Sequence, residues 1–162
     1  MKFFANLRVL LVALWLGAAI FFSFAVAPSV FAVLESREMA GSVVNRTLAI
    51  LNYSGLIIGL ILLASSFIFR QHFGRIRFWF EQVLTLVLTI ACGIGQFVIG
   101  AKLHDIREQI GRPIEQIALD DPLRIAFDNL HQYSVTVLSI AMISAIIIFF
   151  LLAQRANKME NR

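Results

Sequence analysis

Cysteine and charge are what this sequence has least of. A single cysteine, Cys92, stands among 162 residues, which excludes a disulfide-stapled scaffold. Charged residues make up only 15% of the chain, where a soluble domain carries about a quarter. Mean hydropathy is +0.82, which excludes a disordered chain and a soluble enzyme. Catalytic patterns are missing as well. No nucleophile–base pair lies close in sequence, no glycine loop follows a strand, and Cys92 has no basic neighbour to lower its pKa. Carboxylates are absent from the apolar stretches, so the expectation is a non-catalytic protein without a buried proton relay.

What the chain does contain is four long runs without a charge: residues 9–34, 47–69, 82–101 and 129–154, together 95 of 162 positions. At 1.5 Å of rise per residue, about 20 residues cross a hydrocarbon core of ~30 Å, and every run is long enough. The expected fold is an all-α, integral membrane four-helix bundle forming one domain, residues 1–162. Its helices are expected at about 7–34, 37–70, 79–110 and 122–155, with a short connector at 111–121 on the non-cytoplasmic side.

Lys2, Arg8 and the apolar run ending in Ala25-Val26-Ala27 imitate a secretion signal. The run is much longer than such a signal needs, and Pro28 would sit directly after the cut, so it reads as an uncleaved first helix. Eight Lys and Arg residues lie in the short segments on the terminal side. The other side has six, offset by six acidic residues in the 102–128 link. By the positive-inside rule both termini face the cytoplasm of a bacterial inner membrane.

Two features sit at the membrane surfaces. On the terminal side, Arg70, Arg75, Arg77 and Trp79 lie among phenylalanines and suit lipid headgroups, either as a specific lipid site or as an ordinary interfacial anchor. The basic balance fits that band, and no extramembrane basic stripe points to nucleic acid. On the opposite side, helix three stops at Gly111 and Pro113, and Asp121-Pro122 starts helix four. Ser36 caps helix two, and the short Ile114, Ile117 and Leu119 segment forms a stub shaped for docking.

Small and polar residues mark one seam per helix, since lipid-embedded helices associate through close packing on such residues. The seams are Ala13, Gly17, Phe21, Phe24, Pro28 and Phe31; then Asn52, Gly55, Gly59 and Ser66. On helix three they are Thr85, Thr89, Cys92, Gln96 and Gly100 beside Gly93, and on helix four His131, Ser134, Leu138, Ala141 and Ala145. Gly17, Pro28, Gly55, Gly59, Gly93 and Gly100 are thus the expected packing positions, with Gly55 and Gly59 serving either the bundle or a dimer. Asn52, Gln96, His131 and Ser134 all fall near the non-cytoplasmic surface. An unpaired amide is costly there, so these four form either a hydrogen-bonded clasp or a polar ligand pocket. His104, His131 and Asp128 are candidate metal ligands, without the spacing of an established metal motif.

Leu14-Trp15-Leu16-Gly17 followed by Phe21, Phe24, Ala27-Pro28 and Phe31, with Ala40-Gly41 opening helix two, resembles the transmembrane protein 205-like family. Phe127, Leu130-His131 and Ser134-Val135 are similar to that family's F-x-x-L-H-x-x-S-V stretch. The family's early aromatic–proline step is replaced here by Ile50-Leu51-Asn52-Tyr53. The resemblance implies a bacterial four-helix membrane protein of unassigned function, with metal or drug tolerance for some relatives. Two roles are expected, the first preferred on the missing catalytic motifs, the phenylalanine-rich lipid face and the docking stub, the second its alternative. One is an accessory subunit of a larger respiratory or photosynthetic membrane complex, requiring no cofactor and taking lipid, carotenoid or chlorophyll on its apolar faces. The other is an independent small-molecule or metal-tolerance protein using the polar pocket.

Overall fold

The computed structural model describes residues 2–67 and 74–160, apart from the side chains of residues 115 and 158–160. Four rods account for nearly all of it: α1 (Lys2–Val33), α2 (Arg37–Ser66), α3 (Arg75–Ile110) and α4 (Pro122–Glu160). All four are long and apolar enough to cross a membrane, and the expected all-α four-helix membrane bundle is borne out. They run up and down in order, each packed on its neighbours, with α4 closing back onto α1. Arg8 of α1 and Arg155 of α4 lie together at one end of the bundle, the terminal end. The α1–α2 loop and the α3–α4 connector form the other, the connector end.

Local chemistry sets the boundaries. Ser36 Oγ accepts the Met39 N–H at 3.3 Å to open α2. Gly111 ends α3 in the left-handed conformation (φ 61°), its N–H donating to the Arg107 carbonyl at 3.1 Å. Asp121 Oδ1 accepts the Leu123 N–H at 2.8 Å and, with Pro122 in the first turn, opens α4. Helices outrun the uncharged runs at several ends: α1 begins at Lys2, α3 at Arg75, and α4 continues to Glu160. Charged residues at those ends are therefore helical and able to face the bundle.

Two rods are interrupted by a π-turn, Phe22–Val26 in α1 and Gly95–Gly100 in α3. The first precedes Pro28, which has no N–H to give and whose ring crowds the preceding turn. The helix widens there, and the Ala27 N–H reaches back to the Phe22 carbonyl. In the second, a Cβ on Gly100 would lie 3.2 Å from the Gly95 carbonyl oxygen, so the wider turn closes around a residue without a side chain. π-turns recur at functional sites because they place backbone and side chains off the regular helical register.

The inward faces agree with the expected seams on α2 and α4 and depart from them on α1 and α3. On α2, Asn52, Gly55, Gly59 and Ser66 are all buried; on α4 Ala141 and Ala145 are buried and Ser134 and Leu138 half-buried, but His131 at the connector end is exposed. A Cβ at Gly59 would strike Thr89 Oγ1, and one at Gly55 would meet Trp15 Nε1 and Cys92 Sγ, so both glycines close the α2–α3 and α2–α1 contacts within one chain. A Cβ at Gly93 would meet Leu56 at an ordinary 3.8 Å. On α1 the inward residues are Ala5, Arg8, Val12, Trp15, Ala19 and Phe22, while Gly17, Phe21, Phe24 and Phe31 are exposed. Nothing lies within 4 Å of a Cβ at Gly17. The reason is Trp15: its indole N–H donates to the Leu51 carbonyl at 2.9 Å, and that bond turns its face inward. On α3 the seam follows Thr85 and Cys92 to Gly95 and Ile99 instead of Gln96 and Gly100. Successive steps of four residues overrun the 3.6-residue turn and rotate off the face.

Candidate functional site

Polar side chains gather at both ends of the bundle. At the terminal end, Glu81 is 1% exposed, Arg155 2% and Arg8 3%. Arg8 Nη2 donates to Glu81 Oε1 at 2.8 Å and to the Leu62 carbonyl at 3.2 Å. Arg155 contributes Nη2 at 2.9 Å from Glu81 Oε2 and Nη1 at 3.3 Å from Oε1. One carboxylate thus ties the ends of α1, α3 and α4, and α2 joins through its backbone. This corrects the expectation that no carboxylate enters the core. Glu81 immediately precedes the third uncharged run, so its sequence neighbourhood resembles a loop although its helical face is internal. The same finding removes Arg8 and Arg155 from the charges available to the membrane surface.

The expected headgroup band is correspondingly thinner. Arg75 and Trp79 are exposed, but Arg77 turns along α4, donating to Gln154 Oε1 at 2.8 Å and to the Leu151 carbonyl at 3.3 Å. Arg70 lies outside the described residues.

The connector end is built differently. A chamber of about 220 Å³ lies between α2, α3 and α4, lined by Asn52, Gln96 and Ser134 among others, with Arg46, His104 and Arg107 at its polar wall. A second cavity of about 460 Å³ lies between α1, α2 and α4, with Phe22, Pro28, His131, Leu138 and Met142 in its lining. Asn45, Leu48, Leu103 and Ser134 belong to both walls, so the two spaces adjoin. Each π-turn borders one of them: Phe22, Ser23 and Phe24 the larger, Gly95, Gln96 and Gly100 the smaller.

Three of the four expected pocket residues, Asn52, Gln96 and Ser134, therefore face one chamber, and His131 faces the adjoining cavity. No hydrogen bond joins any of the four to another described residue, so the clasp alternative is not what forms. Asn52 is 5% exposed and sits against the π-turn of α3, where a Cβ on Gly95 would approach its Nδ2 to 3.1 Å. The Asn52 amide borders the chamber, where a ligand or water supplies the hydrogen bonds that the chain does not. Sequence reasoning did not single out Arg107. Its guanidinium stacks on the Phe127 ring, 5.2 Å from the centroid, and occupies the space left by Gly41, where a Cβ would come within 2.8 Å of it. Gly41 in α2 was the available signal, since a glycine there has no turn to make.

For the weak metal candidates, His104 Nε2 lies 3.3 Å from Glu108 Oε1, and Asp128 pairs with Arg124 at 3.2 Å rather than with His131. Among the described residues no three metal-ligating side chains converge. Cys92 is buried at mid-bundle beside Gly55.

Comparison with known proteins agrees with this architecture without adding a reaction. An uncharacterized protein of Aquifex aeolicus (strain VF5) is 36% identical over 102 residues, covering 63% of this chain and 70% of that protein. No solved structure matches. The family model described as a domain of unknown function, DUF4149, matches residues 10–112, from the first membrane helix to just past the end of α3. That stretch contains the Leu14–Gly17 and Ala40-Gly41 motifs that carried the resemblance, while the His131 stretch lies beyond it. The matched segment spans three of the four helices of a membrane bundle, and the chain belongs to the DUF4149 family.

Proposed function

We propose that this protein is a non-catalytic, multi-pass protein of the bacterial inner membrane that binds a small amphiphilic molecule in the paired cavities at its connector end. The observation that carries this reading is the Asn52 amide, buried, facing the chamber and without a partner in the chain. Chambers of roughly 300–1,000 Å³ with a few convergent polar groups are the common form of small-molecule sites, and the two adjoining spaces together fall in that range. Both termini are proposed to face the cytoplasm, which puts the cavities near the opposite surface.

Native mass spectrometry of the full chain, released from its own membrane in gentle detergent, tests the reading. A bound small molecule is expected on the wild type and is expected to be lost from Ala49→Trp, which fills the chamber. Bare protein in both samples overturns it.

The accessory-subunit reading rests on a separate observation. Leu119 in the connector and Ile125 and Tyr133 in α4 are exposed at the connector end, and Leu119 and Ile125 lie outside the uncharged runs. Co-migration with a large complex on a native gel, lost on Leu119→Asp, supports it. A species near 18.2 kDa plus detergent counts against it.

A further inference from the structure

We infer that the ligand of the paired cavities is an anionic amphiphile, with its charged head in the smaller chamber and one hydrocarbon chain in the larger. This rests on the binding role proposed above and names the chemistry of its occupant. The two spaces differ in the way such a molecule requires. The smaller has Arg46, His104 and Arg107 in its wall together with the amides of Asn52 and Gln96, and among the described residues no carboxylate lines it. Glu108, 3.3 Å from His104, is not part of that wall. A negative head there gains charge-assisted hydrogen bonds from a guanidinium and satisfies the Asn52 amide at the same time.

The larger space is walled mainly by carbon: Phe22, Phe24, Phe31, Leu138 and Met142. Phe24 and Val135 on its border are exposed, so the cavity is flanked by residues on the lipid-facing surface. A chain entering from the bilayer exchanges one apolar surrounding for another. The hydrocarbon chain therefore positions the ligand and the polar chamber selects it, since an unpaired amide and guanidinium groups, Arg107 keeping Glu38 as a more distant counter-charge, discriminate more sharply than apolar contact. The π-turn of α1 shapes the chain cavity and the π-turn of α3 shapes the head chamber, so both local departures from regular helix serve one molecule.

The test uses the full chain in phosphatidylcholine nanodiscs, with spin-labelled stearic acid and its methyl ester as probes, read by electron paramagnetic resonance. The acid is expected to show an immobilised component absent from Ala27→Trp, which blocks the chain cavity. Should Ala27→Trp fail to fold, Leu138→Phe narrows the same space. The ester, without a charged head, is expected to bind about tenfold more weakly, and the double variant Asn52→Leu/Arg107→Gln is expected to abolish the difference. Equal binding of acid and ester, both lost in Ala27→Trp, overturns the anionic head and leaves the binding role standing. No immobilised component above the Ala27→Trp level with either probe overturns both.

Discussion

At the terminal end, three charged side chains are shut between the helices and spend their polar atoms on one another, with Glu81 accepting from both Arg8 and Arg155. At the connector end, the polar side chains are uncharged or lie at the rim, and Asn52 faces open space without a partner. The first arrangement pairs its charges internally and locks the helix ends, while the neighbouring Gln82 Nε2 is buried without a hydrogen-bond partner. The second is incomplete and leaves room. One end of the bundle thus pairs its charges across the helices, and the other opens its polar side chains onto space. Packing follows the same division: glycines at 55 and 59 bring α2 against its neighbours, while the π-turns border the two cavities of the connector half.

Removing one member of the closed end breaks this contrast most directly. Glu81→Ala leaves two guanidinium groups buried without their carboxylate, and losing one partner of a buried pair costs about 3–5 kcal/mol. Thermal unfolding in detergent is expected to show a large loss. The triple variant Arg8→Met/Glu81→Leu/Arg155→Met is expected to recover most of it, because apolar replacements remove the desolvation cost along with the attraction. A single Glu81→Ala change without effect would mean the triad is solvated.

The close contacts come next. Gly59→Leu drives a side chain into Thr89 and is expected to cost about 1–3 kcal/mol by the same assay, whereas Gly17→Leu adds carbon to an open face and is expected to stay within about 0.5 kcal/mol. Equal effects at the two positions would place α1 on a different face. An effect of opposite sign is expected at Asn52. Asn52→Leu deletes an unpartnered buried amide, so the ligand-free protein is expected to hold its stability or gain up to about 1 kcal/mol. A loss larger than this would show that the amide is bonded in the membrane-bound protein. The opposite signs expected at Glu81 and Asn52 are the sharpest form of the comparison.

Legibility in the sequence followed the range of the interactions concerned. Caps at Ser36, Asp121 and Gly111 were readable because each joins residues only a few positions apart. Seams on α2 and α4 were readable because a stripe of small residues at helical spacing has few other uses in lipid. The α1 face departs from its stripe of small residues and phenylalanines because the indole N–H of Trp15 sets it, and its partner Leu51 lies 36 residues away. Arg8, Glu81 and Arg155 looked like separate loop charges, since each stands at or beyond the end of an uncharged run and more than 70 positions separate Glu81 from either arginine.

The sequence by itself determined that four helices span the membrane, because crossing hydrocarbon requires about twenty uncharged residues and that requirement is written in consecutive positions. It also determined where those helices stop on the connector side and that Asn52, Gln96 and Ser134 lie near that surface. Only the tertiary structure decided which faces meet, that Glu81 is enclosed by two arginines, and that the polar groups at the other end border space instead of bonding one another. Those outcomes depend on how four rods rotate against each other, and rotation is set by contacts between residues distant in the chain.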